Sequence, residues 1–358
     1  MLIIDSHLDL AWNALQWNRD LLRSVYTIRT MEGRRPGGGG TVAIPELRKG
    51  RVALCVATVL ARSTGNAQAN IDFSSPAQAH ATARGHLEYY RALEQVGHLR
   101  VIVRLEDLDR HFSEWQDWDS SPDPDPESAP PLGAIISMES ADPILSPDRL
   151  EEWWKAGVRL IGPAHYGPGR YAGGTATELG LTEIGTALLA EMERLGVALD
   201  LTHLTDQAFW PALDKYGGPV LASHQNCRAL VPHQRQFTDE QLRAVIERDG
   251  VIGAAFDNWM LKPGWVVGKS DPKEVSLGDV VDHIDHVCQL AGNANHAAIG
   301  TDLDGGFGRD QSPGDLDTIA DLQMLSPLLA KRGYKDKDIA AIFHGNWLRF
   351  LRRLLKAG

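Results

Sequence analysis

Cysteine is scarce in this chain: there are three among 358 residues, Cys55, Cys227 and Cys288, and no CxxC spacing joins them. That argues against a disulfide framework and a thiolate metal cluster, and a reducing cytoplasm is the expected compartment. No apolar run reaches about 18 residues and no charged-then-apolar leader precedes the first strand, so neither a spanning helix nor a secretion signal is expected. Basic residues are outnumbered, 36 Lys and Arg against 47 Asp and Glu, for a formal charge of −11. This balance speaks against nucleic acid and anionic membrane surfaces as partners. Finally, no G-x-G-x-x-G follows the first apolar run and no GK[ST] closes the Gly-rich stretch 34–40, so dinucleotide and P-loop chemistry have no support.

What is present is ample apolar residue, 43% of the chain, arranged in short runs. Eight stand at 2–4, 52–60, 133–138, 158–161, 197–201, 219–222, 251–256 and 297–299. Near-continuous apolar strands of this kind suit a parallel sheet buried on both faces. Segments of helical spacing lie between or after them, at 76–96, 147–156, 182–195, 206–215, 238–248, 277–290, 319–331 and 336–355. The count predicts an α/β protein, a (β/α)8 TIM-like barrel forming a single domain over 1–358. Its rival, a doubly wound open sheet, lacks the Gly-rich fingerprint it needs. The Gly-rich stretch 34–40 reads as a flexible lid or exposed loop. The acidic segment 116–131, containing SSPDPDPESAPP, is expected to form no regular element and to be a solvated insertion.

The opening stretch, MLIIDSHLDLAW, runs an apolar strand straight into Asp5-Ser6-His7-Leu8-Asp9. Residues two apart on a strand share a side, so His7 and Asp9 are expected to project together. An imidazole nitrogen beside a carboxylate oxygen suits Zn²⁺ or a similar divalent ion. In a barrel the chemistry sits at the C-terminal ends of the strands, and polar groups do follow the other apolar runs. Glu139 follows 133–138, His165 follows 158–161, His203 ends ALDLTH, His224 ends PVLASH, and Asp302 follows AAIGT. Each has an ordinary alternative: His203 as the cap of the next helix, Asp302 and Asp304 as turn residues in GTDLDGG. Coincidence at six strand ends is much harder to explain that way. By contrast His80, His86, His98, His111, His283, His286 and His296 stand away from strand ends and read as ordinary surface or core residues. His233 and His344 fall into neither group.

Three histidines and two carboxylates are enough for two metal ions about 3.5–4 Å apart with one carboxylate between them. Glu139, on a central strand, is the expected bridge. No Lys stands at the end of the fourth run to be carboxylated instead. With these residues in place, the chain resembles the membrane dipeptidase (renal dipeptidase) family of zinc peptidases, related to the amidohydrolase barrels. The resemblance rests on D-x-H-x-D at the start, the lone Glu139, DLTHLTDQAF, SHQNCRAL, RQFTDEQL and IGTDLDGG, with Gly345-Asn346 near the end. It implies His7, Asp9 and Glu139 on one zinc, and Glu139, His203 and His224 on the other. It also implies His165 as a transition-state donor, Arg235 as a clamp for a substrate carboxylate, and Asp302 as the proton-handling group. Glu139 sits in SMESAD rather than the family's usual Glu-Gly-Gly, and His165 in an unusual loop, GPAHYGPGRYAGG. The animal proteins' membrane-anchoring ends have no counterpart.

These residues suggest a mechanism. Two divalent ions lower the pKa of a shared water from 15.7 to roughly 7, so a metal-bridging hydroxide is the expected nucleophile. Asp302 would take its proton and pass it to the leaving amine, while His165 donates to the oxyanion. The planar fork of Arg235 pairs with a carboxylate, although HQRQFTDEQL also reads as a helix start with Thr238 as cap and a solvated arginine. The loop Asp257-Asn258-Trp259 is expected to line the pocket, with Asn258 as a substrate contact beside Arg235 and His165. The reading is a dipeptidase for small dipeptides, including those with a C-terminal D-residue, and a homodimer is compatible with it. Two alternatives stand beside it: an amidohydrolase-like hydrolase of another small amide, ester or lactone, and a non-catalytic binding protein that keeps the barrel.

Overall fold

The computed structural model describes residues 1–33 and 39–357; residues 34–38, most of the Gly-rich stretch, lie outside them. The strands are β1 (Ile3–Leu8), β2 (Val52–Leu60), β3 (Leu99–Val101), β4 (Leu132–Glu139), β5 (Val158–Gly162), β6 (Ala198–Asp200), β7 (Val220–Leu221), β8 (Ile252–Ala254) and β9 (Ala297–Ile299). All pairings between them are parallel. One ladder runs β1-β2-β4-β5-β6-β7, with β3 added against the start of β4, and β8 and β9 form a separate pair. Among the described residues an isolated bridge from Ala222 to Ile252 links the two.

Alternation along the strands sorts their side chains into two cores, as a curled sheet with helices outside requires. Ile3, Cys55, Ala57, Val59, Ile136 and Met138 pack outward with the helices. Leu2, Ile4, Leu54, Val56, Ile135, Leu160, Ala198, Leu221 and Ala298 form a second cluster inside the curl. The last helix, Asn346–Ala357, adds Trp347, Phe350, Leu351 and Leu354 to that inner cluster. The chemistry-bearing groups lie at or just beyond the opposite, C-terminal strand ends. Near that end the backbones of β8 and β9 approach closely: a Cβ on Gly253 or Gly300 would lie 2.1 or 1.9 Å from Ser223 O, and within 2.5 Å of Ser6 Oγ.

The eight expected runs all contain strands, but they do not form one continuous eight-stranded ladder. Among the described residues no ladder joins β9 to β1; instead Ser6 Oγ of β1 donates to Ile299 O and Ser223 O. β3 was not expected, nor was the helix Leu105–Asp119, which takes up the first four residues of the supposed insertion 116–131. A 3-10 turn, Pro126–Ser128, occupies more of that segment. Leu108, Phe112 and Trp115 supply the helix's buried stripe, a signal that the acidic, Pro-rich composition downstream obscured. The crossover helices are capped as their sequences suggest, with Thr182, Thr205, Thr238 and Ser276 at N-caps and Gly196 and Gly292 in left-handed C-caps. Among the described residues no helix is long and apolar enough to cross a membrane.

Candidate metal centre and active site

The site grows from strand ends. β1 delivers His7 and Asp9 through an irregularity in its pairing with β2 between Asp5 and Leu8, a feature that re-aims side chains at sheet rims. Asp5 has a different job: it accepts from Thr301 N at 2.9 Å and Thr301 Oγ1 at 2.6 Å, fastening β1 to the chain leaving β9. Glu139 is the last residue of the central strand β4, paired with Leu60 and Gly162. The backbone turns sharply around this rim. Ser140, His203, Asp302 and Asp304 all adopt left-handed φ, between 58° and 68°, a conformation that non-glycine residues hold only when the surroundings enforce it.

Glu139 is the meeting point. Its Oε1 lies 3.1 Å from His203 Nε2 and 3.3 Å from His224 Nε2, and its Oε2 lies 3.6 Å from His7 Nε2. His7 Nε2 is also 3.7 Å from Asp9 Oδ2 and 3.8 Å from Asp302 Oδ1. Within the trios His7-Asp9-Glu139, Glu139-His203-His224 and His7-His224-Asp302, the ligand atoms lie within 4.8 Å of one another. His7 Nε2 and Asp9 Oδ1 are buried without a hydrogen-bond partner, which is costly unless something else binds them. The donor set is imidazole nitrogen and carboxylate oxygen, suited to a divalent ion such as zinc. The residues therefore fit a metal centre.

The electrostatics are those of a site built for a cation. Burial pushes the Asp302 carboxyl well above its ordinary value, and the carboxylates of Glu139 and Asp9 push it further. Burial opposes the charge on Glu139 too, but His165, His7, His203 and His224 outweigh it and hold its pKa well below normal. Burial holds His203 and His224 well below the usual imidazole range, so both offer free lone pairs. Each has a hydroxyl behind it: Thr175 Oγ1 sits 2.9 Å from His203 Nδ1, and Ser223 Oγ 2.9 Å from His224 Nδ1. His165 lies one step out, its Nε2 3.9 Å from Glu139 Oε1 and its Nδ1 2.9 Å from Arg62 Nη1. Burial holds its pKa down, at about 4.

These groups open into a small cavity of about 70 Å³, lined by Asp9, Glu139, His165, His203, Arg235 and Asp302 among others. Arg235 is buried, only 3% exposed. One of its nitrogens donates to Gln225 Oε1 at 2.5 Å, and another donates to His224 O at 2.9 Å and lies 3.4 Å from His203 Nε2. The helix-start alternative holds for Thr238, which forms a capping box with Gln241, but not for a solvated Arg235. Gly305 leaves room for Asp302, since a Cβ there would fall 1.8 Å from Asp302 Oδ1. Asp304 is a turn residue: its carboxylate accepts from Thr41 N, Thr41 Oγ1 and Val42 N.

Asn258 departs from expectation. It is fully buried with its amide donating to Ser312 O at 2.8 Å, and the cavity wall at this turn is made by Asp257 and Trp259. The turn points its first and third residues inward and its second into the protein. Asp257 accepts from Gln311 Nε2 and Trp259 Nε1, each at 2.7 Å, yet burial pushes its carboxyl up to about 7. A carboxyl raised in this way keeps its proton in the folded protein after the unfolded chain has lost it near pH 4. Folding stability then falls as pH climbs from about 4 towards 7, by up to about 1.4 kcal/mol per unit, and levels off above. Thermal melts of chelator-treated protein between about pH 5 and 8 are expected to show this slope in wild type and a shallower one in Asp257→Asn, where Asp5, raised to about 6, and Asp302 still contribute. Equal slopes would contradict it.

The family model for membrane dipeptidases matches residues 1–357. The chain belongs to the membrane dipeptidase family, peptidase family M19. Among relatives of this M19 chain, a Klebsiella pneumoniae protein named for the pqqA 5′ region is 33% identical over 213 residues, 57% of this chain and 75% of that one. An uncharacterized dipeptidase of Schizosaccharomyces pombe is 31% identical over 223 residues, 61% of this chain and 52% of the yeast protein. The match thus spans about half the length of the yeast relative. Among solved structures, a dipeptidase of metallopeptidase family M19 superposes with a TM-score of 0.80 at 23% identity, over 99% of both chains. A Rhodobacter sphaeroides metallopeptidase, solved with a phosphinate mimic of L-Ala-D-Ala, gives 0.79 at 22% identity, again over 99% of both. These likenesses bear on the fold of the M19 chain.

Of the residues singled out in the sequence, the structure gathers His7, Asp9, Glu139, His165, His203, His224, Arg235 and Asp302 around one cavity and leaves Asn258 outside it. Three of the histidines set aside are core residues with partners: His86 Nδ1 accepts from Leu60 N, His111 Nε2 lies 2.8 Å from Ala53 O, and His283 Nδ1 accepts from Cys227 N. The sequence reading missed Arg62, Thr175 and Ser223. Arg62 stands two residues past the end of β2, so the strand-end rule that found the others also pointed to it.

Proposed function

We propose that this M19 chain is a metal-dependent dipeptidase whose site holds two divalent ions, zinc being the expected pair, with Glu139 between them. The observation that carries this reading is the division of labour at Glu139, whose two oxygens face two different sets of ligands: His203 and His224 on one side, His7 on the other. Two divalent ions, when bound, acidify a shared water and polarise a carbonyl. The chain's own groups do the rest. Asp302, beside His7, takes a proton from the attacking water and returns it to the leaving amine. His165 donates a hydrogen bond to the developing oxyanion. Arg235 pairs with the substrate's terminal carboxylate, which selects short substrates with a free C-terminus. The R. sphaeroides neighbour, solved with a mimic of L-Ala-D-Ala, supports including a D-residue at that end. We also read the two ladders as one closed (β/α)8 cylinder, because Ser6 hydroxyl bonds join β1 to both β7 and β9 territory. Three buried, unpaired cysteines fit a reducing compartment.

The test is a library of L-Xaa-L-Xaa and L-Xaa-D-Xaa dipeptides, assayed on the metal-loaded protein with metal analysis of the same sample. Turnover that a chelator abolishes and zinc restores is expected; no turnover on any member would overturn the reading. Arg235→Met is expected to lower kcat/KM by about 10–100-fold, the size of a lost charge-assisted hydrogen-bond pair. The loss should vanish for dipeptide amides, which offer no carboxylate. If wild type cleaves amides and free acids alike, the protein is a hydrolase of another small amide, and Arg235 is no clamp.

A further inference from the structure

We propose that Arg62 is a positioning residue: by donating to Nδ1 of His165 it fixes that ring as the neutral tautomer with hydrogen on Nε2, the nitrogen facing Glu139. Different groups sit behind His203, His224 and His165. A hydroxyl accepts as readily as it donates. Thr175 Oγ1 donates to His203 O at 3.4 Å, which leaves its lone pairs for the hydrogen on His203 Nδ1. Ser223 Oγ lies 2.9 Å from His224 Nδ1, and its lone pairs can accept the hydrogen there too. Both rings can therefore carry hydrogen on Nδ1 and present a bare Nε2 to a cation, as ligating histidines do.

His165 is backed by the opposite kind of group. A guanidinium has five N–H donors and no acceptor, so at 2.9 Å from Arg62 Nη1 the Nδ1 of His165 must be the acceptor. The hydrogen of the neutral ring is then on Nε2, which cannot bind a cation and can only donate. One ring nitrogen pattern makes a ligand and its mirror image makes a donor, and the residue behind the ring decides between them.

Arg62 is itself held in place. Its Nε donates to Asp72 Oδ2 at 3.0 Å and its Nη2 to Gln68 Oε1 at 3.3 Å. Asp72 also accepts from Thr64 N and Oγ1. The guanidinium is 12% exposed and Asp72 only 2%, so the arginine has little freedom to swing away. The loop after β2 thus ends in a braced donor aimed at His165.

The kinetic arm of the test rests on the dipeptidase reading; the spectroscopic arm does not. In ¹⁵N-histidine-labelled, zinc-loaded wild type, with the His165 signals assigned by their loss in His165→Asn, Nε2 is expected at a protonated shift and Nδ1 at an unprotonated one. The reverse pattern would overturn the proposal whether or not any dipeptide is cleaved. In kinetics, Arg62→Met is expected to lower kcat by about 10–100-fold, the usual range for a group that orients another, with KM and metal content little changed. Arg62→Lys, which keeps a donor and the charge, is expected to recover most of the loss and serves as the folded variant if Met disturbs the loop. In the His165→Asn background, Arg62→Met is expected to cost no further activity. Losses that multiply in the double variant would overturn the proposal, because a merely structural arginine acts without His165.

Discussion

Replacing Glu139 by glutamine is expected to cut turnover by a factor on the order of 10⁴ or more, the scale seen when a member of a catalytic unit is removed, and to lower bound metal in the same sample. The size follows from its position. A glutamine keeps the shape but turns one carboxylate oxygen into an amide NH2, which donates and cannot ligate. If Oε1 is lost, the partner of His203 and His224 goes; if Oε2 is lost, the partner of His7 goes. Either way one trio falls to two ligands, and the site loses one unit of negative charge. Metal analysis by mass spectrometry alongside the assay checks it. Full metal content with activity within about tenfold of wild type would mean that Glu139 is not the shared ligand, since even orienting groups account for 10–100-fold.

Asp302→Asn is expected to lower kcat by about 10²–10⁴-fold, the usual contribution of a positioned acid–base group, while leaving metal content intact. The second half of that result carries the information. Asp302 Oδ1 lies 3.8 Å from His7 Nε2 and belongs to one of the trios able to hold an ion, so a ligand role is the alternative. In that case metal and activity would fall together. A further consequence separates chemistry from folding. Burial and the neighbouring carboxylates push the Asp302 carboxyl up, so in the metal-free protein its charged form opposes folding at neutral pH. The stability tied to it declines as pH rises above about 4, the carboxyl's unfolded value. Metal-free Asp302→Asn should therefore melt above metal-free wild type at neutral pH, even as it loses turnover.

How much of this was legible in the sequence follows the physics of each residue. Strand ends are marked by a short apolar run that stops at a charged residue, and that mark sits in consecutive letters. His7, Asp9, Glu139, His203, His224 and Asp302 were all readable this way. Asn258 was misplaced because turn phase is set by three-dimensional contacts: the same three letters, Asp257-Asn258-Trp259, would permit either phase, and Ser312 O decided it. β3 was too short, at three residues, to show a period. That no ladder joins β9 to β1 among the described residues could not be read at all, since strand closure depends on registers set by every intervening loop. Arg62 was overlooked because an arginine near a strand end is ordinarily solvated; only the packing of Asp72 and His165 around it gives it a direction.

Diffraction from zinc-loaded crystals at the zinc absorption edge tests most directly the proposal that two cations share Glu139. Two anomalous peaks about 3.5–4 Å apart, flanking Glu139 with His7 and Asp9 on one and His203 and His224 on the other, are the predicted result. A single peak, or peaks away from Glu139, would contradict it.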